Sequence, residues 1–550
     1  MADGRNVLKI LPLGGLGEIG MNMTLYGCGD DWIAVDAGVQ FCDATQVGAE
    51  MVLPDLDLLA EYRGRLKALI ITHGHEDHVG AVPHVMAACP VPVYAPAFVV
   101  ELLRIKGQEY PPESRPQMHV VAPGDRLDFG EIGVEFVRVT HSIPDSHSLV
   151  LRTPVGTVVH TGDFKIDPEP ADGRKFDAAT FSRLGDEGVR LLLSDSTNAH
   201  VAGRTRPDRD VLRGLERVLL DAPDRVIVSL FASNVYRVSE LARIADRHRR
   251  RVALVGRSLN VYLEAARRAG LVPPLPDFVE PSQVDKVPGR DLLVICTGSQ
   301  AEGRSALCRA SRQDHPDLRI RQGDRVVLSS RIIPGNERPI HRMMNDLARL
   351  GARIIHERMA PIHGSGHAQR DELMTMIELT RPRTFVPIHG EFSFLEAHAE
   401  MAGQAGVHEV RVVENGQTLE VSADETFVGE RIQLRNHYVD GPIVGDWDEL
   451  RLDERKRIGW TGVVAARLIA EWGKKRWRVD LEVQSVGCPT GGGSVLDDAA
   501  AYAAEQVASL PREASRAQVE ETLSASLRAF FRRRIDRKPS VLAFVEVRGD

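Results

Sequence analysis

The 550-residue sequence predicts an α/β fold in which one α/β domain interrupts another and a small α+β domain follows. Three observations carry this reading. Over the first 200 residues, short apolar strands end in loops rich in His, Asp and Gly. From 208 to 350, apolar strands alternate with amphipathic helices in the βαβ rhythm of a parallel sheet covered by helices. From 352 to 430 the earlier style returns, so the middle segment reads as an insertion.

The elements follow in order. MNMTLYG (21–27) and WIAVDAG (32–38) read as a hairpin, and LKALIITHG (66–74) as a buried strand entering a loop. IGVEFVRVT (132–140), SLVLRT (148–153), GTVVHTGD (156–163) and VRLLLSDST (189–197) form a strand series. In the insertion, 209–222 and 258–270 have helical periodicity, and 224–233, 250–256, 291–298 and 324–330 are its strands. ARIIHE, a His/Gly loop, a helix near 369–380 and TFVPIHG then resume the first domain. Residues 431–460 read as a connector. Two strands, the loop GCPTGGGS (487–494), helices at 496–510 and 515–534 and a strand at 540–548 complete the chain. The expected boundaries are therefore 1–205 and 351–430 for the two parts of the first domain, 206–350 for the insertion, 431–460 for a linker and 461–550 for the last domain.

Composition narrows the function classes. With 43% apolar and 27% charged residues the chain is globular. No run approaches the ~18 apolar residues of a membrane span, and the N-terminus lacks the pattern of a secretory leader. Six scattered cysteines without a CxxC pair fit a reducing cytoplasm better than a disulfide framework. The net charge of −8 divides into −12 over residues 1–450 and +4 over 451–550. This balance does not exclude nucleic acid but suggests a confined channel in place of a broad basic face over the first 450 residues, while Trp472, Trp477 and RRRIDRK (532–538) mark a candidate RNA surface near the end.

The chemistry concentrates in THGHEDHVGAVP (72–83), directly after an apolar strand. His73, His75, Asp77 and His78 offer imidazole nitrogens and carboxylate oxygens that suit Zn²⁺ or Mn²⁺. A tight loop lets His73 and His75 converge on one ion while Asp77 and His78 reach a second. Further ligand types stand after later strands: His141, Asp163 and His389. The expected sets are His73, His75, His141 and Asp163 for one ion, and Asp77, His78, Asp163 and His389 for the other, with Asp163 bridging. A GxGxxG string (15–20) is a decoy, because MNMTLYG after it reads as a strand and not as the helix that a dinucleotide site requires.

HGHEDH followed by a His, an Asp and a distant His resembles the metallo-β-lactamase superfamily, and VDAG (35–38) resembles its first motif, with Asp36 orienting the metal loop. The insertion resembles the β-CASP domain of the nucleic-acid-processing members. LLSDSTN with Asp195, GSGH with His367 and PIHG with His389 resemble that branch's motifs. GGLGEIGMN, THSIPDS, HTGDFKID, FASN, VGRS, CTGSQ, SRIIPGNE and FVPIHGE together resemble the bacterial ribonuclease J family over about residues 5–450. The chain departs from the family pattern at Tyr236, His200, Phe392 and Ser393 and after CTGSQ.

The resemblance implies an αββα sandwich with an inserted β-CASP domain. It also implies a metal-dependent 5′→3′ exoribonuclease favouring 5′-monophosphate ends, with endonuclease activity and roles in mRNA decay and ribosomal RNA maturation. Two Zn²⁺ (or Mn²⁺), RNA, a homodimer or homotetramer and RNA-decay protein partners are the implied cofactors and partners. Ala232, Ser233 and Asn234, with His363, Gly364, Ser365, Gly366 and His367, would form the phosphate pocket. Asp77 or Asp163 would take the nucleophile's proton, His367 would serve the leaving oxygen, and Asp195 would orient a neighbouring histidine. Two rival readings remain: a small-molecule hydrolase, which leaves the insertion unexplained, and a non-catalytic scaffold, which predicts missing ligands.

Overall fold

The computed structural model describes residues 6–42, 45–333, 336–473, 475–490 and 494–548. Pro334 and Gly335 of SRIIPGNE and residues 491–493 of GCPTGGGS lie outside the described residues. The chain divides into one unit of residues 1–40 and 53–436 and another of 41–52 and 437–550.

The first unit contains two mixed sheets packed face to face. An eight-stranded sheet is centred on Leu8–Gly14, Met23–Cys28, Asp31–Val35 and Leu66–Ile70. A seven-stranded sheet runs through Ile132–Arg138, His147–Thr153, Gly156–His160, Val189–Asp195 and Thr384–Ile388. Alternate residues of both sheets meet in one core: Leu8, Ile10, Ile33, Val35 and Ile70 from the first, and Phe136, Leu149, Leu151, Leu191 and Val386 from the second. The opposite phase of the second sheet, Val137, Val150, Val159, Leu192 and Phe385, packs under helices that supply Phe181, Leu184, Leu373, Met376 and Met401. This is why the strands read as continuous apolar runs: each is buried on both faces.

The insertion folds as a six-stranded, wholly parallel sheet, with Val226–Ser229 between Leu292–Cys296 and Arg325–Leu328. Helix Asp208–Leu220 starts after Pro207, carries Asp208 and Asp210 in its first turn and buries Val211, Leu215 and Leu219 on one face. Helix Arg257–Arg268 buries Leu259, Tyr262, Leu263 and Ala266 at i, i+3, i+4 and i+7. Lys165, 1% exposed, ties the insertion to its host by pairing with Asp167 at 2.8 Å and with Asp208 at 2.6 Å.

Three expectations change. ARIIHE does not rejoin the first domain: Arg353–His356 is the parallel edge strand beside Arg325–Leu328, so the inserted sheet extends past residue 350. Residues 431–460 are no plain connector: His437–Asp440 and Ile443–Gly445 pair in a four-stranded sheet and Leu452–Thr461 is a helix. In the last domain, Val463–Trp472 lies between Trp477–Val486 and Ser540–Arg548, with two helices packed on one face. Trp477 belongs to that core, 5% exposed, with its indole N–H donating to the carbonyl of Pro511. It is therefore withdrawn from the candidate RNA surface.

Candidate metal centre

All seven predicted ligands converge at the loops that follow the sheet strands. His73 and His75 follow Leu66–Ile70, and His75 caps the one-turn helix Glu76–Val79 that carries Asp77 and His78. His141, Asp163 and His389 follow Ile132–Arg138, Gly156–His160 and Thr384–Ile388. The side chains gather into the two expected sets, sharing Asp163.

In the first set, His73 Nε2 and His75 Nδ1 are 3.2 Å apart and His75 Nδ1 and His141 Nε2 are 3.0 Å apart. Asp163 Oδ2 stands 3.5 Å from His73 Nε2 and 3.6 Å from His141 Nε2. A tetrahedral zinc ion separates its donors by about 3.3 Å, so these spacings match the edges of its coordination polyhedron. In the second set, His78 Nε2 lies 3.3 Å from Asp163 Oδ2, and His389 Nε2 lies 3.3 Å from Asp77 Oδ2 and 3.6 Å from Asp163 Oδ1. Asp163 Oδ1 is buried with no hydrogen-bond donor, a costly state for a carboxylate unless a cation meets it. The donor set therefore fits divalent metal.

The second ring nitrogen of four histidines is anchored, which fixes the ring and aims the first. His141 Nδ1 donates to the Gly366 carbonyl at 2.7 Å. His78 Nδ1 meets Asp36 Oδ2 at 2.7 Å, His389 Nδ1 meets Thr197 Oγ1 at 2.7 Å, and His73 Nδ1 meets Thr72 Oγ1 at 3.0 Å. Asp36 also accepts from Thr72 N–H at 2.8 Å, so it organises the loop from behind. Asp36 and His389 adopt left-handed backbone, at φ 62° and 54°, a strain that the surrounding contacts hold in place.

Burial and neighbouring histidines hold His73 and His141 well below the usual histidine range, and burial foremost lowers His75 to about 4. These rings keep their lone pairs. Burial alone would also lower His389, but Asp163, Asp77 and Asp195 outweigh it and raise it to about 9. Asp163 is pushed upward by burial and downward more strongly by His389, His78, His367 and His73, and ends well below the usual carboxylate range.

Asp195 serves two partners. Its Oδ2 meets His367 Nδ1 at 2.9 Å, while its Oδ1 accepts the N–H and hydroxyl of Thr197 in an Asx turn. His367 is raised above the ordinary value: burial opposes protonation, and Asp195 and Asp163 overcome it. Ser365 Oγ accepts from Asn198 Nδ2 and from His367 N–H. Gly366 does not stand open to a ligand on its Cβ side: an added Cβ would lie 2.5 Å from Ser142 Oγ and 2.8 Å from His141 Cε1. Gly364 is likewise closed by the Arg206 carbonyl, 2.8 Å from its Cβ position. The smallness of this loop lets it lie against the candidate ligand His141. His363 Nδ1 is buried without a partner. Asn234 caps helix Val235–Arg247 through its side-chain Oδ1, which accepts from Arg237 N–H, so Ala232, Ser233 and Asn234 lead into a helix N-terminus suited to an anion.

Sequence reading missed Asn22, which donates from N–H and from Nδ2 to the Asp77 carbonyl, and Thr197. Thr197 had a signal, its place two residues after Asp195 in SDST; Asn22 had only its place at the end of GGLGEIGMN. Leu16–Gly17 of the decoy pairs with Gly390–Glu391 beside His389 and opens no helix. His200, one of the departures, stacks on Phe394 at 4.5 Å.

Comparison with known proteins places each part of the chain beside known domains. Residues 20–201 match the metallo-β-lactamase superfamily, 223–347 the β-CASP domain of ribonuclease J, 353–413 the RNA specificity domain of Zn-dependent metallo-hydrolases, and 450–546 the ribonuclease J C-terminal domain. Ribonuclease J of Sinorhizobium meliloti is 38% identical over 98% of this chain and 97% of its own length. This chain belongs to the ribonuclease J family. Ribonuclease J of Thermus thermophilus is 34% identical over 98% of this chain and 95% of its own, and ribonuclease J 1 of Streptococcus pyogenes is 31% identical over 98% of each. A crystal structure of a protein of unknown function from Enterococcus faecalis shares the fold, with a TM-score of 0.55 and 18% identity over 77% of this chain and all of that one. As a ribonuclease J family member with this donor set, the chain is a metal-dependent nuclease that hydrolyses RNA. No described helix is long and apolar enough to cross a membrane.

Proposed function

We propose that the chain degrades RNA 5′→3′ from 5′-monophosphate ends, with internal cleavage at the same centre, and acts in mRNA decay and ribosomal RNA maturation. The observation that carries the reading is the pair of ligand sets sharing Asp163, directly beside the Asp195–His367 pair. His73, His75, His141 and Asp163 would hold one Zn²⁺, and Asp77, His78, Asp163 and His389 the other; Mn²⁺ suits the same donors. Bound ions would supply Lewis acidity, which acidifies water and neutralises phosphate charge.

The remaining work falls to the protein. Asp77, 30% exposed where Asp163 is 2% exposed, is the carboxylate open to take a proton from attacking water. Asp195 fixes His367 through Nδ1, leaving Nε2 to donate to the departing 3′-oxygen. His363, Ser365 and the N-terminus of helix Val235–Arg247 would receive the terminal phosphate.

The deciding experiment digests one RNA, labelled at either end, carrying a monophosphate, triphosphate or hydroxyl at the 5′ terminus. Monophosphorylated RNA should lose mononucleotides from its 5′ end, and chelator should abolish this. Ser365→Trp should depress end-dependent digestion more than internal cleavage. Equal loss of both activities would count against the terminal-phosphate pocket, and chelator-resistant digestion against the metal mechanism.

A further inference from the structure

Glu76 stands between the proposed ligands His75 and Asp77, yet it belongs to neither ligand set. Its Oε1 accepts a hydrogen bond from Tyr262 Oη at 2.9 Å and pairs with Lys106 Nζ. Lys106 closes helix Ala97–Lys106 of the host domain, whereas Tyr262 lies on Arg257–Arg268 of the insertion. Tyr262 is 6% exposed, its ring 5.7 Å from the Lys106 ammonium and 6.3 Å from the ring of Phe98. Phe98 in turn occupies the space beside Gly74, where an added Cβ would lie 3.0 Å from Phe98 Cε1. The insertion thus reaches the metal loop twice: its hydroxyl holds Glu76, and its ring backs Phe98 against Gly74.

The loop is built to pass that position on. Residues 76–79 are one helical turn, so Glu76 and Asp77 move together. The Glu76 carbonyl accepts from Val39 and Gly80, and the Asp77 carbonyl accepts from Asn22. Asp77 is the ligand at the open side of the second set, 3.3 Å from His389 and 3.7 Å from His78. A small displacement of Glu76 therefore alters the separation on which the second ion depends.

We propose that Tyr262 is a positioning residue through which the insertion sets Asp77, so that seating of the insertion and occupancy of the second cation position strengthen one another. The inference rests on the two-ion reading above. Thermodynamic linkage makes the effect reciprocal: whatever the insertion adds to ion affinity, the ion adds to seating of the insertion.

The test uses the full chain, stripped of metal and titrated with Zn²⁺ against a chromophoric chelator. Wild type should bind two ions. Tyr262→Phe keeps the ring and its packing but deletes the hydroxyl, and should weaken the second ion by about tenfold while sparing the first. Glu76→Ala should show a similar loss, and the double variant little more, because both remove one interaction. In hydrogen–deuterium exchange, Zn²⁺ should slow exchange across residues 257–268 in wild type and not in Tyr262→Phe. Unchanged affinities in both single variants, or wild-type exchange in that helix indifferent to Zn²⁺ while the metal loop responds, overturn the coupling. A wild type that takes up one ion per chain overturns the two-ion reading instead, before any variant is compared.

Discussion

Asp163 is the residue that both candidate ligand sets share. Its two oxygens face four imidazoles at 3.3–3.6 Å, and Oδ1 has no donor of its own. Burying a carboxylate in this way is costly unless cations meet it. We expect Asp163→Ala to lose both ions and at least about 10³-fold in rate, since metal stabilisation amounts to several kcal/mol. Asp77→Ala should keep one ion. Metal content by mass spectrometry, beside the cleavage rate, checks both, and an Asp163→Ala protein holding two equivalents would refute the bridging role. The candidate ligands were legible in the sequence because four ligand-type residues crowd six positions and the others each follow a strand. The anchors were less so. Asn22 acts through a fold-dependent approach to Asp77, and the partner of Glu76 comes from a helix nearly two hundred residues away.

At the scale of elements, strands and helices were legible wherever burial imposes a period. Pairing partners were not, because they are chosen by distant segments. ARIIHE has the character of either sheet, and only its register with Arg325–Leu328 decides between them. Trp477 is in phase with Val479, Leu481 and Val483, which all turn to the core, and that alternation decides its burial. Helix Phe392–Gln404, after the third motif, carries a separate consequence. It buries His398, whose Nδ1 meets Ser196 Oγ at 3.0 Å. Burial lowers this imidazole to about 3, against about 6.5 when unfolded. Between those values the unfolded chain binds the extra proton, so stability drains away as pH falls below 6.5, by about 1.4 kcal/mol per pH unit. His398→Gln lacks this contribution. The stability difference between wild type and His398→Gln should therefore shrink by about 2 kcal/mol from pH 7 to pH 5. Denaturant titration at the two pH values measures it, and a constant difference would exclude the buried neutral histidine.

Across the whole molecule, charge is spent inside. The net −8 does not exclude an RNA substrate, because carboxylates such as Asp77 and Asp163 stand in candidate metal sets where bound cations would offset them, and others are paired in the interior. Lys165 shows what such a pair does: it joins Asp167 of the host domain to Asp208 at the start of the insertion. Lys165→Met would leave these two carboxylates facing each other, and we expect a loss of about 3–5 kcal/mol. Unfolding of the intact chain should register this as an earlier transition, and an unshifted one would mean that the pair is neutral to stability. The insertion also sets an order in time. His73, His75, Asp77, His78, His141 and Asp163 precede it in the chain, whereas His367 and His389 follow it. A growing polypeptide therefore carries the first candidate donor set but lacks His389 of the second, and the Asp195–His367 pair, until the inserted sheet has been made. The second candidate set can close only after residue 389 of 550 has been added, when the host strands and the insertion are both present.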